Sequence, residues 1–362
     1  MNFTDIAHTR LHNLQLAQTA LHTPAEMVSW MGGVQAQDFA AAKWSLGLRL
    51  RPTTDEVMEI AFNNGDILRT HMMRPTWHFV TPADIRWIQR LTAPRVHIAC
   101  GTMYRQEGLD AATRSRAGSV ITKALENGRA LTRDELGEAL EAHGLGPAKG
   151  HRLAYMVMWA ELEALIGSGP RRGKQFTYML LDERAPHAMA LEGDEALVEL
   201  LRRYFTSHGP ATAHDFSRWS GLTLADTYRG LDMLGSALYR EEVDEQTYWF
   251  GNESLPPREP SPTAYLLNIY DEYTIGYKDR RAISDDETMD ALQAMGNALQ
   301  NVIVVDGRIV GTWRRTLRKT EVSIELNLLR PLTGRENDAV MWAATQYGEY
   351  IGRAVEVSGL RG

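Results

Sequence analysis

Apolar residues recur at helical spacing through the middle of the chain, and capping signals divide this part into separate elements. The segments 115–127, 132–144 and 151–169 are predicted helices. Thr132 followed by Glu135 forms a capping box, which satisfies backbone N–H groups that a first helical turn leaves without partners. The next segment, "GPRRGKQFTYMLLDE", predicts a basic turn that leads into a strand. Three helices followed by a hairpin predict a winged helix, a helix-turn-helix variant.

The same order of elements recurs on both sides of this unit. Between 193 and 255 three predicted helices precede the hairpin "LYREEVDEQTYWF". The N-terminal part fits more loosely, with helices in "TDIAHTRLHNLQLA", "TPAEMVSWMGGVQAQ" and "TTDEVMEIAFNNG" and a hairpin in "DILRTHMMRPTWHFV". Pro75 within this hairpin predicts an edge strand or a bent wing, because proline cannot donate a ladder hydrogen bond. We therefore predict three winged-helix units in tandem.

The last hundred residues follow a different pattern, dominated by strands. Asp306-Gly307 lies between two β-rich runs, which is a strong hairpin signal. "EVSIELNLL" alternates apolar and polar residues as a half-buried strand does, and "AVMWAATQYGEYIG" predicts a closing helix. The proline-rich segment 253–264 predicts a domain boundary. The expected fold is mainly α with β (α+β), with three winged-helix units and a C-terminal β-barrel-like module, at residues 1–112, 113–188, 189–255 and 262–362.

Composition limits the possible classes of protein. The chain has 362 residues, 44% hydrophobic and 23% charged, which is typical of a globular protein of about two to four domains. One cysteine excludes a disulfide framework, and the histidines lack a matching carboxylate pattern, so we expect no metal and no cofactor. Neither a signal peptide nor an apolar run of membrane-spanning length is present, which predicts a cytoplasmic protein without a membrane partner.

Two glutamines one residue apart, Gln35 and Gln37, stand out within "MGGVQAQDFAAAKW". They either decorate a helix surface and cap a helix, or they hold a water molecule by hydrogen bonds. Residues two apart on a regular helix point about 200° away from each other, so they cannot share a ligand there. They can converge only if the helix ends near Gly32-Gly33, or if the backbone is extended or turning.

Four segments together carry a resemblance to a known family. They are "GGVQAQD", "RTHMMRPTWHFV", "YDEYTIGYKDR" and "VDGRIVGTWRRT", and the chain resembles the AlkZ-like DNA glycosylases over nearly its whole length. The resemblance implies tandem winged helices, a C-terminal barrel and excision of N-alkylated purines, including crosslinked nucleobases. It also implies a catalytic motif of Gln, an aliphatic residue, then Gln or Asp, which Gln35-Ala36-Gln37 matches.

This chemistry has modest requirements. An N7-alkylated purine already carries a positive charge, so its departure needs no general acid, and carboxamides can orient the attacking water. No lysine accompanies the glutamines, so we expect a monofunctional glycosylase that hydrolyses N7- or N3-alkylated purines. Asp38 is a possible general base, although acidic residues at a helix start are more often caps. The alternative function is a non-catalytic winged-helix DNA-binding protein or transcriptional regulator.

The expected partner is double-stranded DNA, alkylated or crosslinked, gripped by a monomer that associates with the nucleoid. The net charge of −7 argues mildly against nucleic acid, but binding depends on local basic patches. Three basic runs occur, "GPRRGK" at 169–174, "YKDRR" at 277–281 and "TWRRTLRK" at 312–319, and Arg69 and Arg74 flank the histidines of the first hairpin. The DNA-binding candidates are Arg69, His71, Arg74, His78, Arg171, Arg172, Lys174, Arg314 and Arg315. The segment Tyr270 to Arg280 has no assigned role, and core tyrosines with a buried Asp271–Arg280 pair or a DNA surface both fit it.

Overall fold

The chain folds as a mixed α+β protein. The computed structural model describes residues 1–251, 256–257, 261–295 and 300–359. Half of the predicted boundary segment 253–264 lies outside the described residues. The predicted end positions 255 and 362 also lie outside them. No helix of the described ranges has the length and apolar character needed to cross a membrane.

The N-terminal part contains helices and a small antiparallel sheet in the strand order β1-β3-β2. Its elements are α1 (Phe3–Asn13), α2 (Pro24–Met31), β1 (Val34–Gln35), α3 (Phe39–Arg49), α4 (Asp55–Asn64), β2 (Leu68–Met72), β3 (Thr76–Val80) and α5 (Ile85–Gln106). The sequence predicts an edge strand or a bent wing around Pro75, and Pro75 lies in the turn between β2 and β3, as a bent hairpin requires. β2 is an edge strand, whereas β3 is central because β1 pairs with its other side.

The middle part repeats this plan with a sheet in the order β4-β6-β5. Its elements are α6 (Ala111–Leu125), β4 (Leu131–Thr132), α7 (Arg133–Ala142), α8 (Gly150–Leu162), β5 (Ile166–Ser168), β6 (Thr177–Leu180) and α9 (Leu181–Arg184). The predicted capping box is present, since the Thr132 hydroxyl accepts from the Glu135 N–H and the Glu135 carboxylate accepts from the Thr132 N–H. The first two predicted helices and the strand after the basic turn are confirmed. The third predicted helix, 151–169, is too long, because α8 ends at Leu162 and Ile166–Ser168 form β5.

The third part again places helices before an antiparallel hairpin. Its elements are α10 (Gly193–Ser207), α11 (Ala213–Ser220), α12 (Leu224–Leu234), a short 3-10 turn (Gly235–Ala237), β7 (Tyr239–Val243) and β8 (Gln246–Phe250). Ala211 forms a single bridge to Trp249, so only a remnant of a third strand is present. The next residue, Thr212, caps α11.

The C-terminal part is an open five-stranded sheet covered by a long helix. Its elements are β9 (Ala264–Leu267), α13 (Glu272–Ile275), α14 (Asp286–Ala294), β10 (Val302–Val305), β11 (Arg308–Leu317), β12 (Glu321–Leu328), α15 (Gly334–Ile351) and β13 (Ala354–Ser358). The strand order β13-β12-β11-β10-β9 leaves β9 and β13 at opposite edges, which makes a half-barrel and not a closed barrel. The Asp306-Gly307 turn is confirmed, with both residues at positive φ.

Two hydrophobic cores divide the molecule unequally. One continuous core joins the N-terminal, third and C-terminal parts, while the middle part has its own. The change between the cores occurs within α5, because Trp87 packs in the first core and Val96 in the second. The N-terminal glutamines are therefore surrounded by parts of the chain that are distant in sequence.

Candidate active site

The two glutamines lie on a short non-helical stretch between α2 and α3. α2 ends at Met31, and Gly32 adopts the left-handed conformation (φ +73°) that commonly terminates a helix. Gly33 follows at φ +150°, where a Cβ would lie 2.7 Å from the Met72 Cε atom. The chain then enters β1, so the backbone is extended at Gln35. The condition stated above for convergence of the glutamines, a helix that ends before them, is met.

Gln35 is nearly buried, and three neighbours determine its orientation. It pairs with His78 across the β1–β3 ladder and is 8% exposed. The Arg74 guanidinium donates to the Gln35 Oε1 atom at 2.8 Å. Because arginine has no acceptor, this contact identifies which atom of the carboxamide is the oxygen. The Gln35 backbone N–H donates to the Glu272 Oε1 atom at 2.9 Å, so a side chain from a distant segment satisfies the outer edge of β1.

Gln37 is exposed, and its side-chain oxygen takes the place of a backbone acceptor at the end of the β1–β3 ladder. The Ala36 N–H donates to the Trp77 carbonyl at 2.7 Å, and the Trp77 N–H donates at 3.3 Å to the Gln37 Oε1 atom. The Ala36 carbonyl, which a continued ladder would use, instead accepts from Arg69 at 2.9 Å. The backbone bends at Gln37, soon after the end of β1. Gln35 and Gln37 therefore flank the buried Ala36, and both contact β3, Gln35 through the strand ladder and Gln37 through its side chain.

Asp38 is the N-cap of α3. Its carboxylate accepts from the Ala41 N–H at 3.0 Å, and it is exposed. The structure thus gives it the capping role that was the alternative to a general base. The Asp38 carboxylate starts α3 directly after Gln37. Its negative charge also interacts favourably with the positive N-terminal end of the helix dipole.

Glu272 is the buried group that joins three parts of the molecule at the site. Besides the Gln35 N–H, its carboxylate accepts from the Trp219 indole N–H at 3.0 Å and lies 3.4 Å from the His208 Nε2 atom. Burial lowers the pKa of His208, although the adjacent Glu272 opposes this shift. At 1% exposure, the Glu272 carboxylate is a fixed support for β1 and not a group that reaches a substrate.

The segment from Tyr270 to Arg280 connects the C-terminal part to the N-terminal part through buried contacts. Tyr273 and Tyr277 are fully buried, as one of the alternatives above requires. Asp271 is also buried, but its partner is Arg49, at 2.8 Å for each carboxylate oxygen, and not Arg280. The Arg49 guanidinium holds the pKa of Asp271 below its ordinary value against the opposing effect of burial. This ion pair attaches α3 to the C-terminal part.

His78 is a neutral buried imidazole on the same side of the sheet as Gln35. Its Nδ1–H donates to the Thr76 carbonyl at 3.0 Å, and its Nε2 atom has no hydrogen-bond partner within the described chain. Burial and the nearby Arg74 lower the pKa of His78 to about 3. The expected phosphate or base contact disagrees with this arrangement, because the side chain has no exposed surface. What His78 offers is an unprotonated Nε2 acceptor.

Arg69 and His71 also differ from the predicted DNA contacts, since they are 8% and 7% exposed. The Arg69 guanidinium lies 4.3 Å from the ring centre of Trp77 and donates to backbone carbonyls beside the glutamines. Burial lowers the pKa of Arg69 to about 10. His71 Nδ1 is 2.5 Å from the Glu161 carboxylate. Both side chains fix the hairpin and do not project from it, because their polar atoms are already used inside the protein.

The predicted basic turns present fewer available charges than the sequence suggests. Arg171 is bound to Glu59 at 2.9 Å and Arg172 to Glu135 at 2.7 Å. Arg315 donates to the Tyr347 hydroxyl. Lys174 and Arg314 are exposed and have no ion-pair partner in the described ranges, so they are the candidates that remain available to a phosphate.

Sequence reasoning missed one arginine beside Arg74. Arg218 is exposed on α11, and its backbone carbonyl accepts from the Arg74 guanidinium at 3.0 Å. The positive charge of Arg218 contributes to lowering the pKa values of Arg74 and Arg280, after the larger effect of burial. Neither Arg218 nor Arg280 has a carboxylate partner among the residues described. Arg280 lies in a quoted motif, but nothing in the sequence places Arg218 beside Gln35.

The groups assembled here are suited to holding a neutral molecule by hydrogen bonds. Each carboxamide oxygen uses one of its two lone pairs, which leaves an acceptor site and an NH₂ group on each glutamine. Within the described part of the chain, no group of three His, Cys, Asp or Glu side chains is placed to hold a metal ion. A water molecule between the carboxamides, beside arginine side chains, is the ligand this chemistry favours.

Comparison with known proteins supports a nucleic-acid enzyme. The family model described as "DNA glycosylase AlkZ-like" matches residues 28–350. A curated relative, the interstrand DNA cross-link repair glycosylase of Streptomyces sahachiroi, is 26% identical over 312 residues, covering 80% of this chain and 81% of the relative. The solved structure of Streptomyces sahachiroi DNA glycosylase AlkZ superposes with a TM-score of 0.80 at 22% identity, over 99% of this chain and 100% of that one. This chain belongs to the AlkZ-like family of DNA glycosylases.

Proposed function

We propose that this DNA glycosylase hydrolyses the N-glycosidic bond of N7- or N3-alkylated purines, including those in interstrand crosslinks. Gln35 and Gln37 position the attacking water. The chain acts as a monomer in which three winged-helix units, each made of helices and a hairpin, grip double-stranded DNA. The relative named for interstrand cross-link repair supports the crosslink as a substrate.

The observation that carries the proposal is the non-helical backbone from Val34 to Gln37, which is extended at Val34 and Gln35 and bends at Gln37. Gln35 is held at its backbone by Glu272 and at its side chain by Arg74, and the Gln37 carboxamide accepts from the Trp77 N–H of the adjacent strand. This arrangement supports a water held between the two carboxamides, and such a water needs no proton removed before the sugar acquires positive charge. This orientation effect suffices for a cationic purine, which is already a good leaving group.

The reaction is hydrolytic and has a simple balance. The glycosidic bond breaks with its electron pair passing to the charged purine, which leaves as a neutral base. The oxocarbenium-like sugar is then attacked by the water oxygen, and the water loses a proton to solvent. The carboxamide oxygens stabilise the partial positive charge that this water acquires. Because no amine takes part, the product is an abasic site on an intact strand.

The available arginines and one lysine provide the grip on DNA. Arg218 lies beside Arg74, which contacts Gln35, and Arg280 is near enough to Arg218 for their charges to interact. Lys174 and Arg314 lie on the middle and C-terminal hairpins. Contacts from these side chains to phosphates position the duplex without selecting a sequence, which suits an enzyme that must find lesions anywhere. The cluster around Arg218 replaces the buried Arg69, His71 and His78 as the proposed DNA contact of this region.

An excision assay tests the proposal. Purified protein is incubated with duplex DNA that contains N7-methylguanine, and the strand is then cleaved at abasic sites by heat and alkali. We expect cleavage only after this treatment, because hydrolysis leaves the strand intact. DNA binding without abasic sites would contradict the enzymatic proposal and support a DNA-binding regulator. Cleavage without heat and alkali would contradict the purely hydrolytic mechanism.

A further inference from the structure

A cavity of about 230 Å³ lies between the first hairpin and the middle part of the chain. His71 and Trp77 line it from the hairpin, and Tyr155 and Glu161 line it from α8. Trp77 is also the residue whose backbone N–H donates to the Gln37 carboxamide. The cavity and the proposed catalytic edge therefore share a residue, although the glutamines themselves do not line the cavity.

Glu161 lines the cavity and carries a buried carboxylate oxygen that has no hydrogen-bond partner among the described residues. Glu161 is fully buried, and its Oε2 atom is bound to His71 at 2.5 Å. Its Oε1 atom has no hydrogen-bond partner within the described residues. Buried polar atoms are nearly always paired, and a carboxylate oxygen most of all, so an unpaired one that lines a cavity indicates a ligand with N–H groups.

The walls indicate that the ligand is flat and positively charged. Trp77, Tyr155 and Tyr178 contribute three aromatic rings, and aromatic faces attract cations as well as planar rings. Arg69 stacks on Trp77, but it does not line the cavity, and its guanidinium donates to the carbonyls of Ala36 and Gln37. The negative charge inside the cavity therefore comes from Glu161.

The size restricts the ligand to about one base. Pockets for drug-sized molecules usually have about 300–1000 Å³, so this cavity is too small for a whole nucleotide. Arg133 and His151 are exposed among its lining residues, where a phosphate outside the cavity could meet them. A purine ring fills the interior, and the sugar and phosphate stay outside.

We propose that this cavity binds an N-alkylated purine base, with the Glu161 Oε1 atom accepting from N–H groups on the edge of the base. This inference rests on the proposed function, because that function supplies the base. A cationic alkylpurine gains from the carboxylate and the aromatic rings together, whereas an unmodified purine lacks the charge. The cavity thus selects for alkylation, and the glutamines attack the sugar.

The experiment measures binding of the 7,9-dimethylguaninium cation to the full chain by calorimetry. This ion keeps the positive charge and the N–H edge of the alkylated base without the sugar, and neutral 9-methylguanine is the control. We expect 9-methylguanine to bind roughly tenfold more weakly. Glu161→Gln keeps the shape of the side chain and removes its charge, and should weaken binding of the cation roughly tenfold. Glu163→Gln is the matched control, because Glu163 follows α8, is 43% exposed and pairs with His97 away from the cavity.

A second variant protects the test against misfolding. Ala154 is half-buried and lines the cavity, so Ala154→Leu fills the space without removing a hydrogen bond. Melting temperatures verify that each variant is folded. For both variants we expect weaker binding of the cation and a raised KM for alkylated duplex DNA, because the base is positively charged only while it is attached to the sugar.

The result that would overturn the inference is an unchanged affinity for the 7,9-dimethylguaninium cation or an unchanged KM in both variants. That outcome leaves the proposed function intact if the wild-type protein still excises the base. Conversely, a wild-type protein that binds the cation through Glu161 but forms no abasic sites would contradict the proposed function and leave the cavity assigned.

Discussion

Two strand-to-helix junctions occupy equivalent places in the N-terminal and middle parts, and they are built differently. β1 and β4 each pair with the second strand of a hairpin and each precede a helix. In the middle part Thr132 is both the last residue of β4 and the cap of α7, so no residue intervenes. In the N-terminal part three residues, from Ala36 to Asp38, separate β1 from α3. The short junction starts a helix, and the longer one displays carboxamides beside a strand end.

The two junctions also differ in what supports them. The middle junction belongs to a core of its own, whereas Gln35 is held by Arg74 from the adjacent hairpin and by Glu272 from the C-terminal part. A capping box is local and stabilises one helix. The support of Gln35 is assembled from two parts of the chain that are far apart in sequence, which is what a precisely oriented group requires.

Gly33→Ala should have the largest effect of the changes that break this comparison. An alanine at φ +150° is strained, and relief of this strain shifts the start of β1. Its Cβ would also lie 2.7 Å from the Met72 Cε atom, which is the end of a flexible side chain and can move away. A displacement of about 1 Å at a catalytic group can cost about 100-fold in rate, and we expect a loss of kcat of this order. Gly144→Ala in the middle part is the control, because Gly144 also has positive φ but nothing within 4 Å of a Cβ. Equal kcat values for the two variants would contradict the importance of the β1 position.

Glu272→Ala should reduce kcat by about tenfold, because the Gln35 backbone loses its acceptor and the site loses its support. KM should change little, since the carboxylate is buried and does not meet DNA. Glu272→Gln keeps an oxygen that can accept from the Gln35 N–H, and we expect it to recover part of the rate. A variant that loses stability but keeps full kcat would show that Glu272 has only a structural role.

Thr132→Ala tests the middle junction, where the expected effect is on stability alone. Loss of the cap should lower the free energy of unfolding by about 1 kcal/mol, measured by urea denaturation. Excision by the folded variant should be unchanged, because the junction presents no group to DNA. A reduced kcat at full folding would mean that the middle junction also contributes to the site.

The smallest expected effect is a dependence of stability on pH that comes from His78. The pKa of His78 is about 3 in the folded protein, and the ordinary value of 6.5 applies in the unfolded chain. Between these two values the unfolded chain binds more protons than the folded protein does. The stabilisation is therefore complete above pH 6.5 and decreases as the pH falls toward 3. Buried His208 acts in the same direction.

His78→Gln should therefore lose less stability than the wild type between pH 7.5 and pH 5, measured as the shift of the urea midpoint. His143→Gln, at an exposed position of the middle part, serves as the control and should behave as the wild type does. Equal pH dependence in all three proteins would contradict a neutral buried His78.

Local signals in the sequence predicted much of the fold and little of the site. The Thr132–Glu135 capping box, the Asp306-Gly307 turn and the alternation in β12 depend on neighbours within a few residues, and all three are confirmed. The partners of Gln35 are 39 and 237 residues away, at Arg74 and Glu272, and no periodicity encodes such contacts.

Charge alone also failed to identify the exposed arginines. Arg69 and His71 lie in a basic, aromatic hairpin, yet a third strand and the middle part bury them. Arg218 carries no recognisable motif, and it becomes a candidate only because α11 packs beside the turn that holds Arg74. Burial of a charge depends on tertiary neighbours, so a basic segment predicts a DNA contact only once its exposure is known.

The most direct measurement of the central claim is excision by the Gln35→Ala/Gln37→Ala double variant, compared with its affinity for the same N7-methylguanine duplex. Loss of the two carboxamides should reduce abasic-site formation by at least about 100-fold, because the attacking water is no longer held. The dissociation constant for DNA should stay within about twofold, since the phosphate contacts come from other residues. Excision at the wild-type rate, or a fall in turnover fully matched by a fall in affinity, would contradict the account.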